Sequence, residues 1–397
     1  MELYLQFGYG MMELCKELIQ KWGSGTVILS PRDLKPQQVV KFSTDILSKN
    51  GQTLLDPQLY DPRANHHGLL THEYWPDDYS TSMLSGGAGL DRMLQCLKTL
   101  NDQAQTVKYI VPGLYCQRVN DDWLYVQENL IHQSKKFFND KANLATICLS
   151  SEVLRFEDQI EMIINRAEQW DIDGFYIVPE HPNGNYLVED PLWLTNILIL
   201  CAGLKLLDKE VIVGYSNQQM LCLATTNIDS IASGTWMNVR SFPPDKFRED
   251  ENESHIQRAM WYYCPQTLSE YKPAFLDMGY RAGILEQIRP DKSLKSNYAD
   301  ILFSGAQPSS TNYSEPLSFR HYLQCLHEQA NQAHRKTFRE TFDYHLLILE
   351  TAERLISAFH RCGVRGQDRD FANIIDVNRA ALGALEASRG FVLERQW

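Results

Sequence analysis

Eight short apolar runs, each set off from the next by a longer amphipathic or irregular stretch, constrain this chain more than any other feature. They are LYLQF (3–7), TVILS (26–30), TLLD (53–56), VKYIV (107–111), ATICL (145–149), GFYIV (174–178), EVIVG (210–214) and DSIAS (229–233). The runs are nearly continuous in apolar and β-branched residues. Strands buried on both faces read this way, and parallel sheets covered by helices have such strands. The intervening stretches, such as MMELCKELIQKW after the first run and EDQIEMIINRAEQW after the fifth, carry helical periodicity. NQQMLCLATT after the seventh is read as a helix too. Eight β–α steps completed by residue 233 predict an α/β fold of the (β/α)8 TIM barrel type. No GxGxxG follows the first run, so an open dinucleotide-binding sheet lacks its fingerprint.

The character changes after Phe242. PPDKFREDENES (243–254) reads as a polar, charged connection, and HIQRAMWYYCPQTLSEYKPAFLDMGY as aromatic and irregularly helical. SGAQPSSTNYSEP (304–316) has linker composition. Beyond it one or two long amphipathic helices run to Gly363, with a last helix near 370–389. The expected organisation is a barrel domain over 1–250, an irregular helical connection over 251–317, and a C-terminal helical segment over 318–397.

Composition narrows the class. With 44% hydrophobic and 22% charged residues the chain is of ordinary globular type. No apolar run approaches the roughly 20 residues of a membrane span, and the first ten residues lack a signal-peptide pattern, so a cytoplasmic protein without membrane association is expected. Nine scattered cysteines with no CxxC pair fit reduced core positions better than disulfides or zinc. His66, His67 and His72 crowd one loop, a poor tetrahedral chelate. No metal and no cofactor are expected. A net charge of −12 argues against a generally basic nucleic-acid surface, yet the stretch from Ser318 onward is close to neutral, so charge is segregated.

In such barrels the chemistry lies at the C-terminal ends of the strands. The second strand leads into Ser30-Pro31-Arg32-Asp33, the third into Asp56 with Gln58 and Tyr60, and the sixth into Glu180-His181. The seventh leads into Tyr215, Ser216 and Asn217, and the eighth into Trp236, Asn238 and Arg240. Carboxylates from different strands suit acid/base or sugar-cation chemistry, because two carboxyls in unlike surroundings hold different protonation states. Asp56 is the first candidate for a catalytic carboxylate and Glu180 the second. Arg32 and Arg240 are candidates to hold phosphate or a sugar substituent. Tyr60, Asn217 and Trp236 are candidates to hold a flat base, and Gln58, His181 and Tyr215 line the same mouth. Each has a structural alternative: Asp56 as a turn cap, Glu180 as an ion-pair partner of Arg32 or Arg240, and Glu152 as a helix-dipole partner.

The spacing of VIVGYSNQQMLCLATTNIDSIASGTWMNVRSF (211–242) resembles the seventh and eighth strand region of tRNA-guanine transglycosylases and their DNA-acting 7-deazaguanine relatives. TLLDPQLY is similar to that family's strand ending in Asp-Ser-Gly, and GFYIVPEH falls where its sixth strand lines the pocket. The resemblance spans roughly residues 1–245. It implies a barrel that recognises a base, with Asp56 in contact with it. Two family features are missing. Where the family has its nucleophilic Asp, this chain reads Ile231-Ala232-Ser233-Gly234, and the cluster of three Cys and one His is absent. Covalent base exchange is therefore not implied, whereas hydrolysis is. The resemblance implies a DNA glycosylase, similar to anti-phage proteins that excise glucosylated hydroxymethylcytosine, with modified DNA as partner. A sugar- or nucleoside-processing barrel enzyme and a non-catalytic binding module are the alternatives.

Overall fold

The computed structural model describes residues 1–76, 79–248 and 259–397. All eight apolar runs are strands: β1 Glu2–Gln6, β2 Gly25–Leu29, β3 Gly51–Leu55, β4 Tyr109–Val111, β5 Asn143–Leu149, β6 Gly174–Pro179, β7 Glu210–Val213 and β8 Ser230–Ser233. Every paired neighbour is parallel, in the order β3-β2-β1-β8-β7-β6-β5-β4. The seam between β3 and β4 is bridged by the Val107 N–H donating to the Thr53 carbonyl at 3.0 Å. The fold is a (β/α)8 barrel.

Helices α1 Met12–Trp22, α2 Pro36–Leu47, α3 Ala88–Ala104, α4 Asp121–Ser134, α5 Glu157–Ala167 and α6 Pro191–Leu206 cover the outside. Alternation of side chains along each strand divides two cores. Leu3, Leu5, Val27, Leu29, Ile147 and Ile177 face the helices. Ile28, Leu54, Ile110, Cys148, Tyr176, Val178 and Ile212 fill the barrel.

The stretch after β7 departs from expectation. Residues Gln218–Thr226 form 3-10 turns instead of an α-helix, and all nine are buried. With no solvent face, a segment this short follows its packing rather than its helical propensity. Three long helices then return to the barrel. Helix α9, numbered after two short helices α7 Pro273–Arg281 and α8 Leu285–Ile288, spans Glu315–Ala333 and packs on β1 beside α1 and the 218–226 segment, where an eighth barrel helix belongs. Helix α10 covers Phe338–Arg361, and α11, Ile375–Gln396, lies along α6. That covering explains why α6 is apolar all round: it is buried from Trp193 to Leu204 save for Thr195, which is itself half-buried.

Two segments after the barrel differ from their sequence reading. Tyr262–Cys264 and Ser269–Tyr271 form an antiparallel hairpin, β9 and β10, rather than an irregular helix. The turn at Pro265–Thr267, followed by Leu268 at a φ of 52°, fixes it, and Tyr262 and Tyr271 face one another in a small core with Leu276 and Phe359. The connection 243–254 is polar only in composition: Phe247 at its near end is buried, as is Phe242 before it, while residues 249–254 lie outside the described residues. Among the described residues no helix is long and apolar enough to cross a membrane.

Candidate active site

Strand pairing continues one residue past β3 and β6, with the Asp56 N–H donating to the Leu29 carbonyl at 3.2 Å and the Glu180 N–H to that of Leu149 at 2.9 Å. Both acids are thereby delivered to the same end of the barrel, and their surroundings then diverge.

Asp56 is wholly buried. Its Oδ1 accepts from the Gln58 backbone N–H at 2.9 Å, so it does hold the turn. Its Oδ2 sits among three phenols: Tyr60 Oη at 2.6 Å, Tyr176 Oη at 3.2 Å and Tyr215 Oη at 3.3 Å. Desolvation pushes the carboxyl up to about 6, and the donors from Tyr60, Gln58, Tyr176 and Tyr215 offset only part of that rise. The phenols remain protonated, since burial and the neighbouring Asp56 charge drive them well above their ordinary range.

The cup around this carboxyl is tied together by hydrogen bonds. The Gln58 side chain is held by Ser30, its Nε2 donating to Ser30 Oγ at 2.9 Å while the Arg32 N–H donates to its Oε1 at 2.8 Å. Gln58 and Tyr215 both sit in the left-handed region, at φ of 54° and 51°. Neither is glycine, so each stores strain of order 1 kcal/mol that the surrounding bonds must hold. Gly214 makes room for Tyr176: a Cβ there would lie 2.6 Å from its hydroxyl. Above the cup, Phe242 and Phe247 close it like a roof. Tyr60 meets them edge-on at 5.0 and 5.1 Å, Tyr215 meets Phe242 at 5.2 Å, and the Arg32 guanidinium lies over Phe247 at 4.8 Å. The Arg32 charge is balanced by Asp33 at 3.2 Å.

Glu180 is half-buried beside this cup and pairs with neither Arg32 nor Arg240. Its Oε2 accepts from Tyr115 Oη at 2.6 Å and from the Ser151 N–H at 2.8 Å, and its backbone bridges to Phe242. The structure thus brings Asp56, Gln58, Tyr60, Tyr215 and Arg32 into one cup, with Glu180 at its flank.

The other candidates gather elsewhere. His181 is buried against the Asn185 and Tyr186 carbonyls at 3.1 and 3.2 Å, and burial lowers its pKa to about 4, so it is neutral. Asn217 donates to the Tyr186 carbonyl at 2.6 Å and caps the 218–226 turns by accepting from the Gln219 N–H. Arg240 is buried 3.4 Å from Glu270 and 3.4 Å from the ring of Tyr322, and its Nε donates to the Gly234 carbonyl at 2.8 Å. Arg369, just before α11, closes the cluster on Glu270 at 2.8 Å. Burial works to raise the Glu270 carboxyl, but Arg369 and Arg240 outweigh it and hold it below the usual carboxylate range. Trp236 packs edge-on against Phe319 at 4.9 Å and donates to the Tyr9 carbonyl. Of the loop histidines, His72 is buried on the Pro31 and Leu34 carbonyls, each 3.0 Å away. Glu152 is exposed beside Arg155.

Gln6 and Tyr176 belong to the cup, and strand-end reading misses them because Tyr176 lies inside β6 and Gln6 inside the run 3–7 read as the first strand. The signal was available: Tyr176 shares a strand face with Val178 and Glu180, and Gln6 with Tyr4.

No protein-family model matches the chain, and no curated protein matches it. Solved structures with partial similarity include native xylanase 10B from Thermotoga maritima, at 12% identity and a TM-score of 0.37 over 58% of this chain and 82% of that one. The GH10 structure from Paenibacillus barcinonensis matches at 12% identity and 0.37, over 62% and 88%. The Thermobacillus composti GH10 xylanase matches at 11% and 0.37, over 61% and 88%. Similarity at this level says nothing of what this chain acts on.

Proposed function

We propose that the chain is a hydrolase that cleaves the N-glycosidic bond of a modified base in DNA, with Asp56 as the catalytic carboxyl and Glu180 beside it. The observation that carries this reading is a single uncharged-neighbour carboxyl, poised near pH 6 at the end of a barrel strand, in a cup of phenols roofed by phenylalanines. A flat heterocycle suits such walls, as a base taken out of the helix does in enzymes that act on bases. The resemblance of TLLDPQLY to a base-contacting strand points the same way, and glucosylated hydroxymethylcytosine is the substrate type it implies.

In this mechanism the bond between the sugar carbon and the base nitrogen breaks with its electron pair going to the base. The Asp56 carboxylate stabilises the sugar cation that develops and takes a proton from water as its hydroxyl adds to the sugar carbon. The same carboxyl then passes that proton to the departing nitrogen. A group near pH 6 suits both halves of that transfer. Because Asp56 is wholly buried, this reading requires side chains around it to move aside when a base binds.

The net charge of −12 favours a second reading, in which the same cup hydrolyses a free nucleoside or related sugar compound. One experiment separates them: incubation with genomic DNAs of different base modification and with free nucleosides, followed by mass analysis of released molecules. Release of a base from DNA that leaves an abasic site, absent in Asp56→Asn, is the expected result. Release from nucleosides alone selects the second reading, and release from neither refutes both.

A further inference from the structure

Gln6 ends β1 inside the barrel, with no exposed surface. Its Oε1 faces Tyr176 Oη at 3.1 Å, the same hydroxyl that stands 3.2 Å from Asp56 Oδ2. Its Nε2, with two N–H donors, has no hydrogen-bond partner among the described residues. Leaving a buried amide donor unpaired costs about 1–3 kcal/mol, so such groups are rare unless something else pairs with them. The deficit grows when Asp56 is ionised. Tyr176 has one hydroxyl proton, and a carboxylate outcompetes a neutral carboxamide for it. In that state the Gln6 oxygen loses its share of that proton. Gln6 thus stands one phenol away from the carboxyl to which the glycosidase reading gives the chemistry. Tyr176, which fixes this spacing, is held in turn by the missing side chain of Gly214.

We propose that Gln6 is the specificity residue of the cup, donating from Nε2 to a carbonyl oxygen or unprotonated ring nitrogen of the substrate base; this rests on the N-glycosidase reading above. A base lacking an acceptor at that edge leaves the amide unpaired and is rejected. Sites built around a buried polar partner discriminate more strongly than apolar ones for this reason.

The test is Gln6→Met, which keeps length and volume and removes the donor. In the free protein its thermal midpoint is expected to equal or exceed that of wild type, because an unpaired buried group has been removed and Tyr176 keeps Asp56. With DNA that wild type cleaves, kcat/KM is expected to fall at least tenfold while the acid limb of the pH profile stays near 6. A lowered thermal midpoint marks Gln6 as structural and overturns the proposal, as does an unchanged kcat/KM. If wild type cleaves nothing, the glycosidase reading fails separately, and binding of free deoxyguanosine, deoxycytidine and 5-hydroxymethyldeoxycytidine decides Gln6. At least tenfold weaker binding in Gln6→Met supports it, and equal binding, or no binding by wild type, overturns it.

Discussion

Replacing Asp56 with Asn separates the proposed catalytic role of this carboxyl from its structural one through the pH dependence of stability. Folding raises its pKa from 3.8 to about 6, so the native state binds the proton more tightly than the unfolded chain. The stability it contributes is whole below 3.8 and is lost as pH rises through about 6. At about 1.4 kcal/mol per unit, the charged form costs the native state roughly 3 kcal/mol at pH 8 relative to strongly acidic solution. Nearly half of that loss falls between about pH 5 and about pH 8, or about 1.4 kcal/mol. Asparagine has no proton to lose and keeps an acceptor for the Gln58 N–H. Denaturant unfolding at the two pH values should therefore show Asp56→Asn gaining about 1.4 kcal/mol on wild type as pH rises. Base release should be abolished in the same variant. A stability gap independent of pH refutes the raised pKa, and near-wild-type turnover refutes the catalytic role.

Three further outcomes follow from the same geometry. Tyr60→Phe keeps the ring against Phe242 and Phe247 but removes the 2.6 Å donor, so Asp56 should titrate higher and the acid limb of activity should move to higher pH; a fixed limb speaks against Asp56 as the titrating group. Arg240→Met leaves buried Glu270 with Arg369 alone and should cost about 3–5 kcal/mol in denaturant unfolding, while activity per folded molecule is retained if Arg240 only ties the chain together. Borohydride should trap no protein–DNA adduct during base release, because none of the eight strand ends presents a lysine to form a Schiff base; a trapped adduct would point to lyase chemistry instead.

The barrel was legible because each strand is buried on both faces, which writes it as an apolar run that no surface helix shares. Asp56 was legible for the opposite reason: a carboxylate closing such a run has few places to go but the mouth. What could not be read were features set by contacts distant in sequence. Residues 218–226 carry helical periodicity, yet α9 and α10 bury them from outside and the chain tightens into 3-10 turns. Tyr262 and Tyr271 declare a hairpin only once Phe359 and Leu276 are beside them. Phe242 stands just before the polar connection 243–254 and Phe247 inside it, and the composition of that stretch hides that both rings turn inward onto Tyr60 and Tyr215. His181 and Asn217 follow strand ends as expected, but the Tyr186 carbonyl, contributed by the loop before α6, draws both of them to itself.

Two buried carboxyls in unlike surroundings bear on the role proposed for Asp56. Glu270 lies between Arg240 and Arg369, and those charges keep it ionised across the physiological range, which ties β10 to the barrel mouth and to the residues before α11. A carboxyl so paired has no proton to exchange near neutrality. Asp56 is buried as deeply, but its donors are three phenols and a backbone amide, all neutral, and they leave desolvation ahead. A nearby guanidinium bonded to it would have lowered its pKa and stabilised the fold. Arg32 is close enough to lie over Phe247, yet its charge goes to Asp33. The cost of that arrangement is the instability worked out above for pH 8. It is compounded by the strained backbones of Gln58 and Tyr215 and by the unpaired Nε2 of Gln6, all within one cup. Such local costs concentrate where a ligand or a reaction uses them, and that concentration, more than the barrel around it, supports placing the proposed chemistry at Asp56.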